Sequence, residues 1–234
     1  MDRITRKKLK QDEFAQDVGL TVEFFTEHRR EAIRYGVAGL AAVILIAGVY
    51  FWSSHRSAQR ETALAAALEV WQTPVGPAQE GQARTFATQQ NKDKAVFASF
   101  GDVAARYSGS NEGAMAQYYL GAMAVNSGKL AAAELAFKEV VDSGNTNYAA
   151  LAKLALASVY QAEHRQAEGE KLIQSVIDKP ANFVSKEQAT IALARYVAAS
   201  NPDRARKLLA PLVTDPRQTI ARTATQALGS LPSK

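Results

Sequence analysis

The sequence predicts an all-α protein: one N-terminal transmembrane helix followed by a helical-repeat solenoid. Three observations predict it. Alanine is abundant while Gly and Pro stay modest at 14 and 7 residues, a composition that favours helices packed closely through small side chains. Residues 35–54 carry no formal charge. Beyond residue 110, small and large apolar residues recur at a fixed interval. With 234 residues, 47% of them hydrophobic, the chain can bury a core and carry one folded domain plus an appendage.

Residues 1–34 read as a cytoplasmic basic and amphipathic tail. Phe14, Val18, Val22 and Phe25 recur at helical spacing among acids and bases, the pattern of an amphipathic juxtamembrane helix. Such a helix either lies on membrane lipid, through apolar contact and attraction of its bases to anionic headgroups, or docks on a membrane partner. Residues 35–54 (YGVAGLAAVILIAGVYFWSS) follow. At 1.5 Å per residue they span about 30 Å, the hydrocarbon thickness. A buried helix of a soluble protein is seldom apolar on every face for five turns. A cleaved signal peptide has an apolar region of about 7–15 residues ending in small residues. Here the stretch is longer and ends in Tyr50, Phe51 and Trp52, rings suited to the bilayer interface.

Orientation follows from the flanks. Arg29, Arg30 and Arg34 precede the span, with Arg3, Arg6, Lys7, Lys8 and Lys10 further back, against Arg56 and Arg60 after it. Basic residues stay on the cytoplasmic side, so the N-terminus is expected in the cytoplasm and residues 55–234 across the membrane, in the periplasm of a Gram-negative-like cell.

Residues 55–110 are expected to form a helical stalk and an atypical first helix pair. Residues 55–73 (HRSAQRETALAAALEVWQT) read as a helix continuing out of the membrane and residues 93–107 (DKAVFASFGDVAARY) as another. Between them, residues 74–91 are rich in Pro, Gly, Gln and Thr and read as a loop.

Residues 111–234 hold the repeats and a capping helix. Leu120, Gly121 and Ala124 mark one helix face and, after a turn at 126–128, Ala133, Phe137 and Val140 mark a second. The pattern returns 36 residues later with Leu156, Ala157 and Tyr160, then Gly169, Ile173 and Val176. Pro180 ends that unit. A degenerate third copy has Leu193, Ala194 and Val197, then Ala205, Leu209 and Leu212, with a turn one residue short and Pro211 late in its second helix. Residues 217–228 place Ile220, Ala224, Ala227 and Leu228 on one side, as a helix covering the apolar end of a stack would. These spacings resemble tetratricopeptide helix pairs, in which small residues let two antiparallel helices approach and a large one fills the gap beside them. The alternative is an ordinary helical bundle with an alanine-rich interior, and recurrence with the turn in step favours the repeat.

Little in the chain suggests catalysis. There is no cysteine, which excludes disulfides, thiolate zinc sites and iron–sulfur ligation. His28, His55 and His164 lie in three different segments without metal-ligand spacing, and read as surface or headgroup-level residues. No nucleophile elbow, Walker loop or dinucleotide-binding glycine fingerprint is present. Glu163, Glu168 and Glu170 read as solvated helix faces rather than a paired acid and base. We therefore expect no catalytic residue, no cofactor and no metal, and a protein that is not an enzyme. The net charge of +5 divides into eight Lys/Arg against seven Asp/Glu in residues 1–34 and twenty against sixteen beyond. Neither part has the basic surplus of a nucleic-acid binder.

A stack of helix pairs leaves a concave surface lined mainly by the first helix of each pair, where such proteins hold a peptide or partner helix. On the repeat spacing, the protein-binding groove is lined by Met115, Tyr118, Ala122, Val125 and Asn126 from the first unit. Leu151, Leu154, Ser158 and Gln161 line it from the second, and Gln188, Ile191 and Arg195 from the third. This lining is mostly apolar or neutral and suits hydrophobic segments better than acidic tails. The same spacing allows Tyr118, Leu154 and Ile191 to be packed core instead.

The tail VEFFTEHRREAIRYG, the aromatic exit VYFW and the junction RYSGSNEGAMAQYYLGAMAVNSGKLAAAELAF follow one another in this order. Over nearly the whole chain, this order of parts resembles the ancillary SecYEG translocon subunits, single-pass proteins of the bacterial inner membrane with a periplasmic tetratricopeptide-like domain. The tail is longer and more basic than in that family, and the segment 74–91 is long for it. The resemblance implies protein partners: the Sec translocon, a periplasmic chaperone or foldase, and newly exported clients. The implied role is a membrane-tethered adaptor beside the translocon, the alternative being a cell-envelope assembly or division scaffold not linked to it.

Overall fold

The computed structural model describes residues 29–77 and 84–232. The tail positions Phe14, Val18, Val22 and Phe25, and His28, lie outside the described residues. The chain divides into two compact units, Met1–Ala58 and Gln59–Lys234.

In the first unit the described structure is helix α1, Arg29–Gln72, which extends into the second. Leu40, Val43, Ile44, Leu45 and Ile46 are each 61–70% exposed. Consecutive large apolar residues cover every face of a helix, and these are exposed among the described residues. That surface is stable only where water is absent, and the helix is long and apolar enough to cross a membrane. At its aromatic end the rings of Tyr50 and Phe51 meet edge-on at 6.5 Å. The Arg56 guanidinium lies 4.2 Å from the centre of the Trp52 ring, a cation–π contact.

In the second unit, the last turns of α1 pack through Ala67, Leu64 and Leu68 against α2, Gln89–Arg106, and its Val96, Phe100 and Val103. Helix α2 begins four residues before the expected 93 because Thr88 caps it: its hydroxyl accepts from the Asn91 amide at 3.2 Å. The preceding segment is pinned at its ends, Gly76 N donating to Phe86 O at 3.0 Å and Phe86 N to Pro74 O at 2.9 Å.

Three helix pairs follow. They are α3 Asn111–Asn126 with α4 Leu130–Asp142, α5 Thr146–Ala162 with α6 Gln166–Asp178, and α7 Lys186–Val197 with α8 Pro202–Leu209. Each first helix starts at a side-chain cap, Ser110, Asn145 or Ser185, which satisfies an amide that has no partner within the helix. The first two pairs turn identically. Gly128 and His164, 36 residues apart, both adopt the left-handed conformation, with φ of 70° and 62°. Lys129 N then reaches Ala124 O at 2.8 Å, and Arg165 N reaches Tyr160 O at 2.7 Å, the six-to-one bond that closes a helix end. In the third pair the connection is longer than the sequence predicts rather than shorter: residues 198–201 separate the helices, one more than in the first two pairs, because α7 ends early at Val197 and Asn201 caps α8 with Pro202 opening it. Pro211, which cannot donate to a helical bond, lies in a 3-10 turn, Ala210–Leu212. Leu212 thus packs from this turn rather than from a second helix. Helix α9, Gln218–Gly229, buries Ile220, Ala224 and Ala227 against the third pair.

The small residues stand where helices meet. A Cβ on Gly121 of α3 would come within 2.6 Å of the Phe137 ring of α4, and one on Gly169 of α6 within 2.1 Å of the Tyr196 hydroxyl. Ala116, Ala133, Ala152, Ala157, Ala189, Ala194, Ala205 and Ala224 are 0% exposed. Among the described residues no polar or charged side chain is buried. The stack is held by non-directional apolar contact.

Candidate functional site

Side-chain bonds along one edge fix how the first helices lie. Asn145 Nδ2 donates to Asn111 Oδ1 at 2.5 Å, joining the starts of α3 and α5. Asn182 N donates to Asn147 Oδ1 at 3.0 Å, joining the start of α5 to the loop before α7. Arg217 pairs with Glu187 at 2.9 Å, joining the starts of α7 and α9. Near the far end of α5, Gln161 Nε2 approaches Tyr196 O at 3.4 Å. Helices α3, α5, α7 and α9 therefore begin at a common edge and lie side by side, α5 touching both α3 and α7, and α9 touching α7.

The second helices are tied separately. Arg165, at the turn into α6, holds Glu134 of α4 at 2.9 Å, Glu163 at 2.9 Å and Glu168 at 2.8 Å, and stacks 3.9 Å from the centre of the Tyr160 ring. Hydrogen bonds from Lys138, and then from Arg165, keep the Glu134 carboxyl below its usual range. Arg165 likewise holds Glu168 low. Arg204 of α8 pairs with Glu170 of α6 at 2.6 Å.

On the row of first helices, the predicted lining separates into three kinds. Met115, Tyr118, Ala122, Leu151 and Leu154 are half-buried. Tyr118 leans on Phe137, ring centres 5.5 Å apart, and burial, then the neighbouring Tyr119, pushes its hydroxyl pKa up. Leu154 packs against two of the core clusters. Val125, Asn126, Ser158, Gln161, Gln188 and Arg195 are exposed. Ser158 bonds within its own helix to Leu154 O at 3.3 Å, and Gln188 Oε1 accepts from Ser185 N at 2.8 Å in a capping box. Ile191 is 4% exposed. It belongs to the core cluster that α9 completes through Ile220 and Ala224, so it is packed interior and not surface lining.

Sequence spacing left out Arg222, exposed on α9. The signal for it was present: residues 111–185 carry six Lys/Arg against eight Asp/Glu, whereas residues 186–234 carry eight against three. Elsewhere, a cavity of about 290 Å³ opens among Val141, Ala149, Lys153, Val176 and Pro180. Among the described residues no group of His, Cys, Asp or Glu is placed to hold a metal ion. His164 serves the left-handed turn between α5 and α6.

A family model described as a tetratricopeptide repeat-like domain matches residues 24–207, from the described start of α1 and the residues just before it into α8. No curated protein and no solved structure matches the chain significantly.

Proposed function

Because the chain belongs to the tetratricopeptide repeat-like domain family, we propose that it is a membrane-tethered adaptor that binds protein segments on the face formed by α3, α5, α7 and α9. The observation that carries this reading is the common edge at which those helices start, which sets them side by side in one row. Stacked helix pairs of this kind present such a row to peptides and partner helices. Residues 1–34 form the cytoplasmic tail, 35–54 the span, 55–110 the stalk with the first helix pair, and 111–234 the binding repeats with their cap.

The adaptor acts beside the Sec translocon of a bacterial inner membrane, with residues 55–234 in the periplasm, where it assists a chaperone or foldase with newly exported proteins. Support for this comes from the order of tail, aromatic exit and repeat junction, and from the basic flank before the span. Tethering raises the effective concentration of the groove near emerging chains, so modest affinity suffices.

The test is a mild-detergent pull-down of the full-length protein beside a version whose residues 1–55 are replaced by an unrelated anchor, with co-purifying proteins identified by mass spectrometry. Translocon subunits or a periplasmic foldase are expected, and their loss with the swapped anchor would place that contact in the tail and span. Recovery of division or outer-membrane assembly proteins alone would replace this reading with the envelope-scaffold one. Protease added to intact spheroplasts should digest residues 55–234, and their protection would overturn the orientation.

A further inference from the structure

The second helix pair copies the first, and at one place the copy leaves a cation without its counter-charge. In the first pair Gln117 of α3 reaches across to α4, its Nε2 donating to the Glu139 carboxylate. In the register that relates Gly128 to His164, the same two places of the second pair are held by Lys153 of α5 and Ser175 of α6. Serine offers no carboxylate: the Ser175 hydroxyl donates instead to Leu172 O of its own helix at 2.7 Å. Lys153 is half-buried and is joined to no carboxylate among the described residues. Drawing a charge out of water without a partner costs free energy, so the position calls for an anion that the chain does not supply.

Beside Lys153 lies the cavity of about 290 Å³ between the ends of α4 and α6 and the flank of α5. Val141, Ala150, Val176 and Pro180 give it apolar walls, and its two charged side chains are both cations, Lys153 and Lys179. Lys179, which follows α6, is exposed and likewise has no ion pair among the described residues. No acidic residue lines the cavity. Its size is at the lower bound of small-ligand sites, about 300–1,000 Å³, room for one side chain and not for an extended segment. Because it draws on the second helices α4 and α6, it shares no lining residue with the face formed by α3, α5, α7 and α9.

We propose that this cavity binds a carboxylate carried on a short aliphatic body, the carboxylate held by Lys153 and Lys179 in the part that Glu139 plays for Gln117, and the body set against Val141 and Val176. The combination discriminates on both counts. An amide of the same shape forfeits the charge-assisted bonds, and a bare anion forfeits the apolar contact. The C-terminal residue of a polypeptide and a free aliphatic acid share this chemistry.

The experiment uses the full-length protein in nanodiscs of zwitterionic lipid and an N-terminally labelled Gly-Ser-Gly-Ser-Val peptide, as the free acid and as the C-terminal amide, read by fluorescence anisotropy. The acid should bind about tenfold more tightly than the amide. Lys153→Gln should bring the two to equal affinity. Ser175→Glu, which restores the carboxylate of the first pair from within, should do the same with no loss of Tm, a result that misfolding cannot produce. Unlabelled N-acetylvaline should displace the acid peptide at a concentration where acetate does not. Displacement by N-acetylvaline at the affinity of the unlabelled peptide itself marks a free acid as a sufficient ligand, and displacement needing about tenfold more marks a polypeptide end. Equal affinity of acid and amide in the wild type, a preference that Lys153→Gln leaves unchanged, displacement by acetate as good as by N-acetylvaline, or binding of neither peptide overturns the proposal.

Discussion

Replacing Gly121 by alanine should test whether close approach of α3 and α4 is what the repeat spacing encodes. The added methyl would stand 2.6, 2.8 and 2.9 Å from three carbons of the Phe137 ring, where ordinary carbon contacts lie at about 3.5–4.0 Å. Phe137 is 1% exposed and has nowhere to swing. Forcing such an overlap costs about 1–3 kcal/mol, while alanine is the better helix former by about 1 kcal/mol. The net expectation is a loss of about 1 kcal/mol, or roughly 2–4 °C in Tm for a domain of this size. Phe137→Leu removes the obstructing ring. In that background Gly121→Ala should therefore become stabilising by up to about 1 kcal/mol, a coupling near 2 kcal/mol that far exceeds the scatter of about 0.3–0.5 kcal/mol for independent sites. Thermal unfolding of the four proteins in one mild detergent, followed by helical circular dichroism, completes the cycle. A rise in Tm for the single Gly121→Ala variant, or the same loss in both backgrounds, would refute the reasoning.

Other expectations follow from the turn, the ion pairs and the apolar helix. His164→Gly should raise stability by about 1 kcal/mol, since a non-glycine residue in the left-handed region carries strain of that order. A lower Tm for that variant would show that the imidazole does something besides turn the chain. Glu134 and Glu187 both have carboxyls held below the ordinary 4.5. Their contribution is complete above that value and lost as pH falls through the lowered one, so Tm should drop below about pH 4.5, and less steeply in Arg165→Met. Ile44→Arg places a charge at the middle of the apolar run at a cost of about 2.5–3.5 kcal/mol for insertion. It should release a fraction of the protein on alkaline extraction of membranes, whereas retention equal to wild type would count against the span.

The helix pairs were legible because packing leaves a periodic trace. Leu120 and Leu156 recur at the same interval as Gly128 and His164, and the structure gives those two turns the same backbone. What escaped was set by contacts distant in sequence or by a single cap. The start of α2 was hidden in the polar run at 89–92, whose composition resembles a loop until Thr88 is seen to cap it. The bridge from Gly76 to Phe86 joins residues that no period relates. At the binding face, spacing names the side of a helix but not what covers it. Thus Ile191 shares the register of Tyr118 and Leu154 yet is enclosed where α9 closes the stack. Arg222 lies on the outer side of α9, opposite the buried Ile220 and Ala224, and so away from the row of first helices.

The alanines between the helices constrain how this molecule can change. An interior built from the smallest helix-forming side chain can vary in almost one direction only: glycine is smaller but weakens a helix by about 1 kcal/mol, and everything larger must displace a neighbouring backbone or ring. Fully enclosed positions such as Ala116, Ala152, Ala189 and Ala224 act as fixed spacers that set the distance from each first helix to the next. Positions facing outward, such as Val125, Ser158, Arg195 and Arg222, are under no such restriction. Substitution is thereby channelled to the outward-facing positions, so the surface can drift while the frame that presents it keeps its dimensions.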